Sequence, residues 1–224
     1  MHKNYIHPKV IPVHALPEPT WRCLLANILL EQPQFQENWM YHTALETLFT
    51  AECACALKTL SEMRKSCLQP QLYLVDIGQL VSSQLFAAKR LLNANGYTVF
   101  IETKGNDTPS AIYPRYLTLA IIQLLRTAAQ TSSSIHVFVD IPAFSVCIQG
   151  KFNTASLALP RAVAAAHGGR VLQTDDTAIL HFSPLKQNVA YPCQPLTSVD
   201  DILQNPLSAV NAAFSHLAPL RQNR

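Results

Sequence analysis

The chain has 224 residues, of which 49% are hydrophobic and 14% are charged, against about 25% charged residues in an average soluble protein. This composition supplies enough apolar material for a core and excludes a disordered tail protein. Seventeen basic and fourteen acidic residues give a formal net charge of +3. Because these charges form no dense basic stripe, a protein that binds nucleic acid through its phosphates is disfavoured.

The glycine content excludes two common nucleotide-binding motifs. The chain has six glycines, where average usage of about 7% would give about sixteen. No two of them are spaced as G-x-G, so neither a dinucleotide-binding fingerprint nor a P-loop can be assigned. The N-terminus lacks an apolar segment of signal-peptide type, and no apolar run approaches the ~20 residues that cross a bilayer. We therefore expect a cytoplasmic protein without a membrane span.

The first 67 residues predict an extended arm (1–20) followed by a helical hairpin (21–67). The arm contains four prolines, which disfavour a packed element. Helices are predicted over residues 21–30 and about 36–66. In the second helix, apolar residues recur at steps of four and three, as in a coiled-coil seam: Phe49, Cys53, Ala56, Leu60, Met63 and Cys67. Such a seam either packs against the same chain or forms a homodimer through residues 36–67.

Alternating strands and helices follow over residues 69–185. Strands are predicted over residues 72–77, 97–102, 135–140, 144–149, 170–174 and 178–182. Helices are predicted over residues 79–95, 116–130 and 156–167. This order predicts an α+β fold, a two-layer α/β sandwich with helices on one face of a mixed sheet. A polar loop is expected over 103–110, and residues 186–224 are expected to form a linker and a C-terminal helix broken at Pro206.

Three segments of this region, in order, resemble the ATPase-type (GHKL) catalytic domain of sensor histidine kinases. Residues 74–81, LVDIGQLV, resemble the strand and helix that open that domain, and residues 121–128, IIQLLRTA, resemble its asparagine box. Residues 156–169, SLALPRAVAAAHGG, resemble the helix that leads from the glycine-rich box to a His-Gly-Gly end. More faintly, residues 24–31, LLANILLE, resemble the phosphoacceptor box at the start of the dimerisation hairpin. The resemblance covers about half of the chain.

The resemblance implies a bacterial two-component signalling protein whose family members bind ATP and magnesium, dimerise and meet a response regulator. The positions that serve this chemistry depart from the family pattern. Where the family has asparagines that hold magnesium, this chain has Gln123 and Thr127, and a threonine lacks the reach and the carbonyl of asparagine. In the family, an aspartate that recognises the adenine amino group follows the strand that corresponds to residues 144–148. Here that segment is Gln149-Gly150-Lys151-Phe152, which contains no carboxylate.

The remaining departures concern the phosphate loop, the lid and the phosphoacceptor. Thr154 and Ser156 replace the glycine pair of the last box, and their β-carbons obstruct the close backbone approach that phosphate requires. Only Asn153 separates Phe152 from this box, so the mobile lid of the family is almost absent. The phosphoacceptor histidine is replaced by Leu30 in the fainter alignment. We interpret the nucleotide site as inactive, with no cofactor bound.

Three hypotheses follow for the function. The first is a catalytically inactive histidine kinase-like protein, a pseudokinase that acts as a signalling or protein-interaction scaffold, with itself and a response regulator-like protein as partners. The second is an atypical ATPase or kinase that binds ATP and magnesium through substitutes such as Gln123, Thr127 and Asp140. The third is a sensor that binds a small molecule in the vacated pocket between helices 116–130 and 156–167.

Other polar residues are interpreted as structural. His167 is expected to end a helix, because nothing in the sequence places a nucleophile beside it. Asp140 is expected at a strand end or turn, and Asp175-Asp176 in a hairpin turn. No metal site is assigned. The arginines expected on helix surfaces, with an anion patch as the alternative, are Arg115, Arg126 and Arg161.

Overall fold

A computed structural model of the chain describes residues 39–63, 71–106, 109–185, 190–195 and 197–217. The helices are α1 (Trp39–Met63), α2 (Ile77–Ala94), α3 (Pro114–Thr131), α4 (Ala158–Ala166), α5 (Val199–Gln204) and α6 (Ala209–Ala213). The strands are β1 (Tyr73–Asp76), β2 (Thr98–Lys104), β3 (Pro109–Ile112), β4 (Ser134–Asp140), β5 (Ser145–Gln149), β6 (Arg170–Gln173) and β7 (Thr177–His181). The predicted arm, the first helix of the hairpin and Leu30 lie outside the described residues.

Five strands form one mixed sheet in the order β2-β4-β5-β7-β6. Strands β2 and β4 are parallel, and the other neighbours are antiparallel. Strands β1 and β3 form a separate antiparallel pair. The mixed sheet and its helices confirm the predicted α+β architecture.

The helices cover one face of the five-stranded sheet. Strand β4 shows this clearly, because Ile135, Val137 and Val139 are buried while the residues between them are exposed. Such an alternation places every second side chain in the core. The opposite face is open in the described structure, where Phe100 is 46% exposed and Phe138 is 40% exposed.

Helix α2 follows the sequence signals closely. The carboxylate of Asp76 accepts a hydrogen bond from the backbone N–H of Gln79 at 3.0 Å and caps the first turn. Gly96 ends the helix with φ +83°, a conformation that favours glycine. The apolar face of the helix, Val81, Leu85, Ala88 and Leu92, is buried.

The seam of α1 packs against the same chain. Phe49, Ala56 and Leu60 are buried in the common core, where α1 lies against α4 and α6. Cys53 and Met63 pack at the edge of this core, and Cys67 lies outside the described residues. The intrachain alternative for the seam is therefore observed, and these apolar side chains are already covered within one chain.

Strand β3 differs from the prediction. It begins at Pro109, within the end of the expected loop 103–110, continues to Ile112 and pairs with β1. Its register with β1 is a long-range contact that local polarity does not reveal. The C-terminal helix is broken around Pro206 into α5 and α6, as predicted, and a 3₁₀ turn follows over Ser215–Leu217. Ile202, Val210 and Phe214 join the same core as the sheet and α1, so the core is continuous across the proposed boundaries at 69 and 185.

Candidate nucleotide site

Helix α3 carries Gln123 and Thr127, the two positions that the sequence resemblance aligns with magnesium-binding asparagines. Gln123 is half-buried and Thr127 is 7% exposed. The Thr127 hydroxyl donates a hydrogen bond to the backbone carbonyl of Gln123 at 2.9 Å. This bond lies within the helix, and the burial of Thr127 leaves little of its side chain accessible to the metal that the second hypothesis requires.

Gly150, at the end of β5, lies directly against α3. A β-carbon at this position would come within 2.8 Å of the Ala128 β-carbon. The Gly150 N–H donates to the backbone carbonyl of Asp176 at 2.8 Å. The glycine therefore serves the close packing of β5 on the helix, and its N–H is bonded to the β6–β7 turn.

The segment from Phe152 to Leu157 closes on itself. Asn153 Oδ1 accepts a hydrogen bond from the Ser156 N–H at 2.8 Å, and the Ser156 hydroxyl donates to the Asn153 carbonyl at 2.9 Å. Thr154 is exposed in this tight turn. Phe152 is 8% exposed and Leu157 is fully buried, so both side chains fill core space beneath the turn. The segment that the resemblance aligns with a phosphate loop is thus a short, internally bonded turn that leads directly into α4.

Asp140 lies at the other end of the β4–β5 hairpin from Gly150. It pairs with Ser145 at the hairpin turn, whereas Gly150 follows β5. One carboxylate oxygen accepts from the Ala143 N–H at 3.0 Å, and the other lies 3.2 Å from Lys104 Nζ. The Ala143 hydrogen bond is the main cause of a lowered pKa of Asp140; desolvation opposes it, and the hydrogen bond and charge of Lys104 lower the pKa further. The predicted turn role is observed, and Asp140 does not join Gln123 and Thr127.

A cavity of about 330 Å³ lies at the C-terminal end of α3. It is lined by Thr131, Ser132, Ser134, Gln149, Gly150, Lys151 and Asp176. Of the predicted site positions it includes Gly150, while Gln123, Thr127, Thr154 and Ser156 do not line it. Within the described residues, no cluster of three or more histidine, cysteine or acidic side chains is placed to hold a metal ion.

The His-Gly-Gly segment after α4 has a structural arrangement. His167 is fully buried, and burial lowers its pKa, although a hydrogen bond to the Val163 carbonyl opposes this shift. Gly168 has φ +66°, and a β-carbon on Gly169 would come within 2.1 Å of the His181 carbonyl oxygen. His167 ends the helix, Gly168 adopts a left-handed conformation, and Gly169 allows the backbone to approach β7 closely.

The three arginines proposed as an anion patch contact different partners. Arg115 pairs with Glu52 at 3.0 Å, and Arg126 pairs with Glu46. Arg161, on α4, donates a hydrogen bond to the side chain of Gln173 on β6 at 3.2 Å. Asp175-Asp176 forms the β6–β7 hairpin turn, as predicted.

A feature that the sequence analysis did not identify lies at the N-terminal end of α3. There a cavity of about 520 Å³ is lined by aromatic and proline side chains, among them Tyr73, Tyr113 and Tyr116. The tyrosines come from β1 and from the start of α3, and Cys193, Gln194 and Pro195 of the C-terminal linker complete the wall. Tyr73 is far in the sequence from Tyr113 and Tyr116, and the pairing of β1 with β3 brings it next to them.

Comparison with solved structures identifies the class of fold. The cytoplasmic segment of histidine kinase QseC is similar over 61% of this chain and 95% of that chain, with 16% identity and a TM-score of 0.50. The Acinetobacter baumannii histidine kinase AdeS has 16% identity and a TM-score of 0.49 over 77% and 98% of the two chains. The ATP-binding domain of PrrB from Mycobacterium tuberculosis has 17% identity and a TM-score of 0.43 over 52% and 100%.

The chain therefore has a histidine kinase-like fold of the GHKL type, and the resemblance predicted from the sequence is confirmed for the fold. A comparison with protein-family models finds no match, and a search of curated proteins also finds none. Among the helices that the structure describes, none is long and apolar enough to cross a membrane.

Proposed function

We propose that this protein is a catalytically inactive histidine kinase-like protein that acts as a signalling or protein-interaction scaffold. The observation that carries the proposal is the packing of Gly150 on Ala128, together with the burial of Thr127, which is 7% exposed. These contacts lie where the resemblance would place the nucleotide. The residues there do not fit a magnesium–ATP complex.

Two further details support the loss of nucleotide binding. A bound phosphate is usually held by free backbone N–H groups in an open loop. Here the Gly150 N–H and the Ser156 N–H are both bonded within the chain. Phe152, whose side chain is buried, fills the space beside this loop.

The partners follow from the resemblance and remain part of the proposal. Family members dimerise and meet a response regulator, so we expect this chain to contact itself and a response regulator-like protein. For the homodimer predicted through residues 36–67, the apolar seam is covered by α4 and α6. A dimer through this segment would therefore use the polar outer face of α1, which includes the exposed residues Cys55, Lys58 and Glu62.

The proposal is tested by calorimetric titration of the full chain with ATP and ADP, each with and without magnesium. We expect no magnesium-dependent heat at millimolar nucleotide, and no magnesium-dependent rise of the melting temperature, because a ligand that binds the native state raises stability. The melting curve itself is the control for folding. Micromolar binding that requires magnesium would contradict the proposal.

A sensor function is the second candidate, and the cavity at the N-terminal end of α3 is the observation that favours it. The predicted position between helices 116–130 and 156–167 is occupied by direct packing of α3 on α4. A sensor site would therefore lie at the start of α3.

A further inference from the structure

The face of the five-stranded sheet that the helices leave open carries an apolar band. The strand registers place four side chains directly opposite one another on β4, β5, β7 and β6: Phe138, Cys147, Ile179 and Leu172. Directly paired residues project to the same face of a sheet. Phe100 extends the row to β2, where its ring stacks on His136 with 4.7 Å between the ring centroids. The apolar band consists of Phe100 and these four residues.

The exposure of the apolar band indicates an interaction surface. Five large hydrophobic side chains are exposed in the part of the chain that the structure describes, and three of them belong to the band: Phe100, Phe138 and Leu172. Single exposed apolar residues are normal on a protein surface, whereas a contiguous apolar patch marks a contact site. The band is contiguous because neighbouring strands lie only about 4.8 Å apart. A cover for this face is therefore expected.

Residues 21–30, which lie outside the described part of the chain, have the composition that such a surface requires. Eight of the ten residues in this N-terminal segment are apolar, and the sequence predicts a helix there. A helix that is hydrophobic nearly all round is stable only when it is buried. Ten helical residues span about 15 Å. The three steps between neighbouring strands from β4 to β6 span about 14 Å, so the helix matches the width of the band.

The start of α1 lies where the N-terminal segment can reach the open face. Helix α1 runs antiparallel to α3, because Glu46 pairs with Arg126 and Glu52 pairs with Arg115. The first residue of α1 is therefore close to the end of α3, where the chain enters β4. The linker of residues 31–38 can span up to about 26 Å. This reach exceeds the depth of two helical layers of about 10 Å each, so the linker can pass round the end of the sheet.

The outer face of α1 is a poorer partner for the N-terminal segment. In a helical hairpin the segment would pack there, but the exposed residues of this face include small and charged ones: Ala54, Cys55, Lys58 and Glu62. The apolar seam of α1 is already buried against α4 and α6. An apolar helix is stabilised more by burying Phe138 and Leu172 than by covering charged side chains. The sheet face is therefore favoured over the hairpin.

Charges at the two edges of the open face give the contact a direction. Glu102 on β2 and Arg170 on β6 are both exposed on this face. The N-terminal segment has Arg22 near its start and is followed by Glu31. A helix that runs from β2 towards β6 brings opposite charges together at both edges, whereas the reverse direction brings like charges together.

We propose that the N-terminal segment docks as a helix on the apolar band of its own chain and runs from β2 towards β6. Helical spacing places four of its apolar residues on one face: Trp21, Leu24, Leu25 and Ile28. This face packs on the band, and Arg22 pairs with Glu102 at the β2 edge. The open face of the sheet is thus a docking surface that the chain itself occupies. None of these contacts involves the nucleotide site.

Trp21 provides a reporter for this docking in the full chain. The chain has two tryptophans, and Trp39→Phe leaves Trp21 as the only one. We expect the Trp21 emission to lie at short wavelength and to be weakly quenched by acrylamide, because the docked indole is buried. The protection should be the same at every protein concentration, since the contact lies within one chain.

Two variants of the band, made in the Trp39→Phe chain, test the location. Phe138→Lys should move the Trp21 emission to longer wavelength and raise the acrylamide quenching at least about twofold, because a charge beneath the helix is costly to bury. Leu172→Lys, on the edge strand β6, should do the same. Both native side chains are exposed, so the variants should fold normally, which far-UV circular dichroism verifies. The matched control is Phe86→Lys, because Phe86 is 43% exposed on α2, and it should leave Trp21 protected.

Charge reversal tests the direction of the helix. Arg22→Glu and Glu102→Arg should each lower the urea concentration at which Trp21 becomes exposed. The double variant should recover most of the loss, because opposite charges face each other again. Strictly additive losses would overturn the direction from β2 towards β6.

The proposal is overturned if Trp21 is strongly quenched while the band is intact, or if Phe138→Lys and Leu172→Lys leave it protected. It is also overturned if Phe86→Lys exposes Trp21 as much as Phe138→Lys does. If dilution exposes Trp21 while the sedimentation mass falls from two chains to one, a second copy covers the band and the intrachain contact is wrong. Because no nucleotide is present, each of these results leaves the proposal of an inactive nucleotide site untouched.

Discussion

The imidazole of His167 links the end of α4 to the beginning of α3 through the backbone of Tyr113. Its Nε2 accepts a hydrogen bond from the Tyr113 N–H at 3.0 Å, and its Nδ1 lies 2.8 Å from the Val163 carbonyl oxygen. The ring is neutral in this arrangement, with Nδ1 as the donor and Nε2 as the acceptor. The histidine thus positions the helix start that borders the tyrosine-lined cavity.

Replacing His167 should destabilise the protein without any loss of a catalytic group. His167→Leu removes the side-chain partner of the buried Tyr113 N–H and of the Val163 carbonyl oxygen. The loss should lower the free energy of unfolding by about 2–4 kcal/mol. Urea unfolding followed by circular dichroism measures this change. The control is His136→Leu, because His136 lies on the open face of the sheet beside Phe100, and it should change the stability by less than about 1 kcal/mol. Equal effects of the two variants would contradict the structural role.

The stability should fall as the pH is lowered below the ordinary histidine pKa of 6.5. Burial lowers the pKa of His167, and likewise that of His42 and His216, so the unfolded chain binds more protons than the folded chain in this range. The stabilisation is complete above pH 6.5. It is lost progressively as the pH falls towards the lowered pKa values of these histidines in the folded state. Unfolding midpoints between about pH 8 and pH 5.5 measure this trend. His167→Gln should show a shallower dependence, and an unchanged slope would contradict it.

The two neighbouring glycines after His167 should respond differently to alanine. Gly169→Ala brings a β-carbon within 2.1 Å of the His181 carbonyl oxygen, so the backbone must move, and we expect a loss of about 3 kcal/mol or more. Gly168→Ala meets no atom within 4 Å and has only the cost of its positive φ, about 1 kcal/mol. Thermal or urea unfolding of both variants provides the comparison. A larger effect at Gly168 would contradict the packing of Gly169 on β7.

The seam of α1 should behave as part of the monomer core. Phe49 is fully buried, so Phe49→Ala should lower the stability by about 3–5 kcal/mol. Because the contact lies within one chain, the loss should not change with protein concentration. The exposed Cys55, changed to alanine, is the control on the same helix. The effect is measured as melting temperatures over a hundredfold range of protein concentration. If the melting temperature of the wild type rises with concentration and that of Phe49→Ala does not, the seam joins two chains.

The sequence predicted the fold well wherever local signals and burial coincide. The glycine at 96 and the periodic apolar face of α2 are local signals for that helix, and the structure contains both. The ordered resemblance predicted the class of fold, which the comparison with solved structures confirms. Strand β3 was missed because its pairing with β1 is long-range and its sequence is polar at the start.

The candidate site was predictable only in part. Gln123 and Thr127 share a face of α3 because they are four positions apart. In the structure the Thr127 hydroxyl donates a hydrogen bond to the Gln123 carbonyl. The distance of Asp140 from them depends on the direction of β4, which the sequence does not specify. The tyrosine-lined cavity needs the register of β1 with β3 and the return of the C-terminal linker, so no local pattern indicates it.

The most direct test of the closed nucleotide site is a residue-resolved NMR titration of the full chain with a non-hydrolysable ATP analogue and magnesium. We predict that the amide signals from Gln123 to Ala128 and from Gly150 to Ser156 stay in place at millimolar nucleotide, because Gly150 packs on Ala128 and the N–H groups of Gly150 and Ser156 are already hydrogen-bonded within the chain. Saturable, magnesium-dependent shifts of these signals would contradict the account and assign this chain a working nucleotide site.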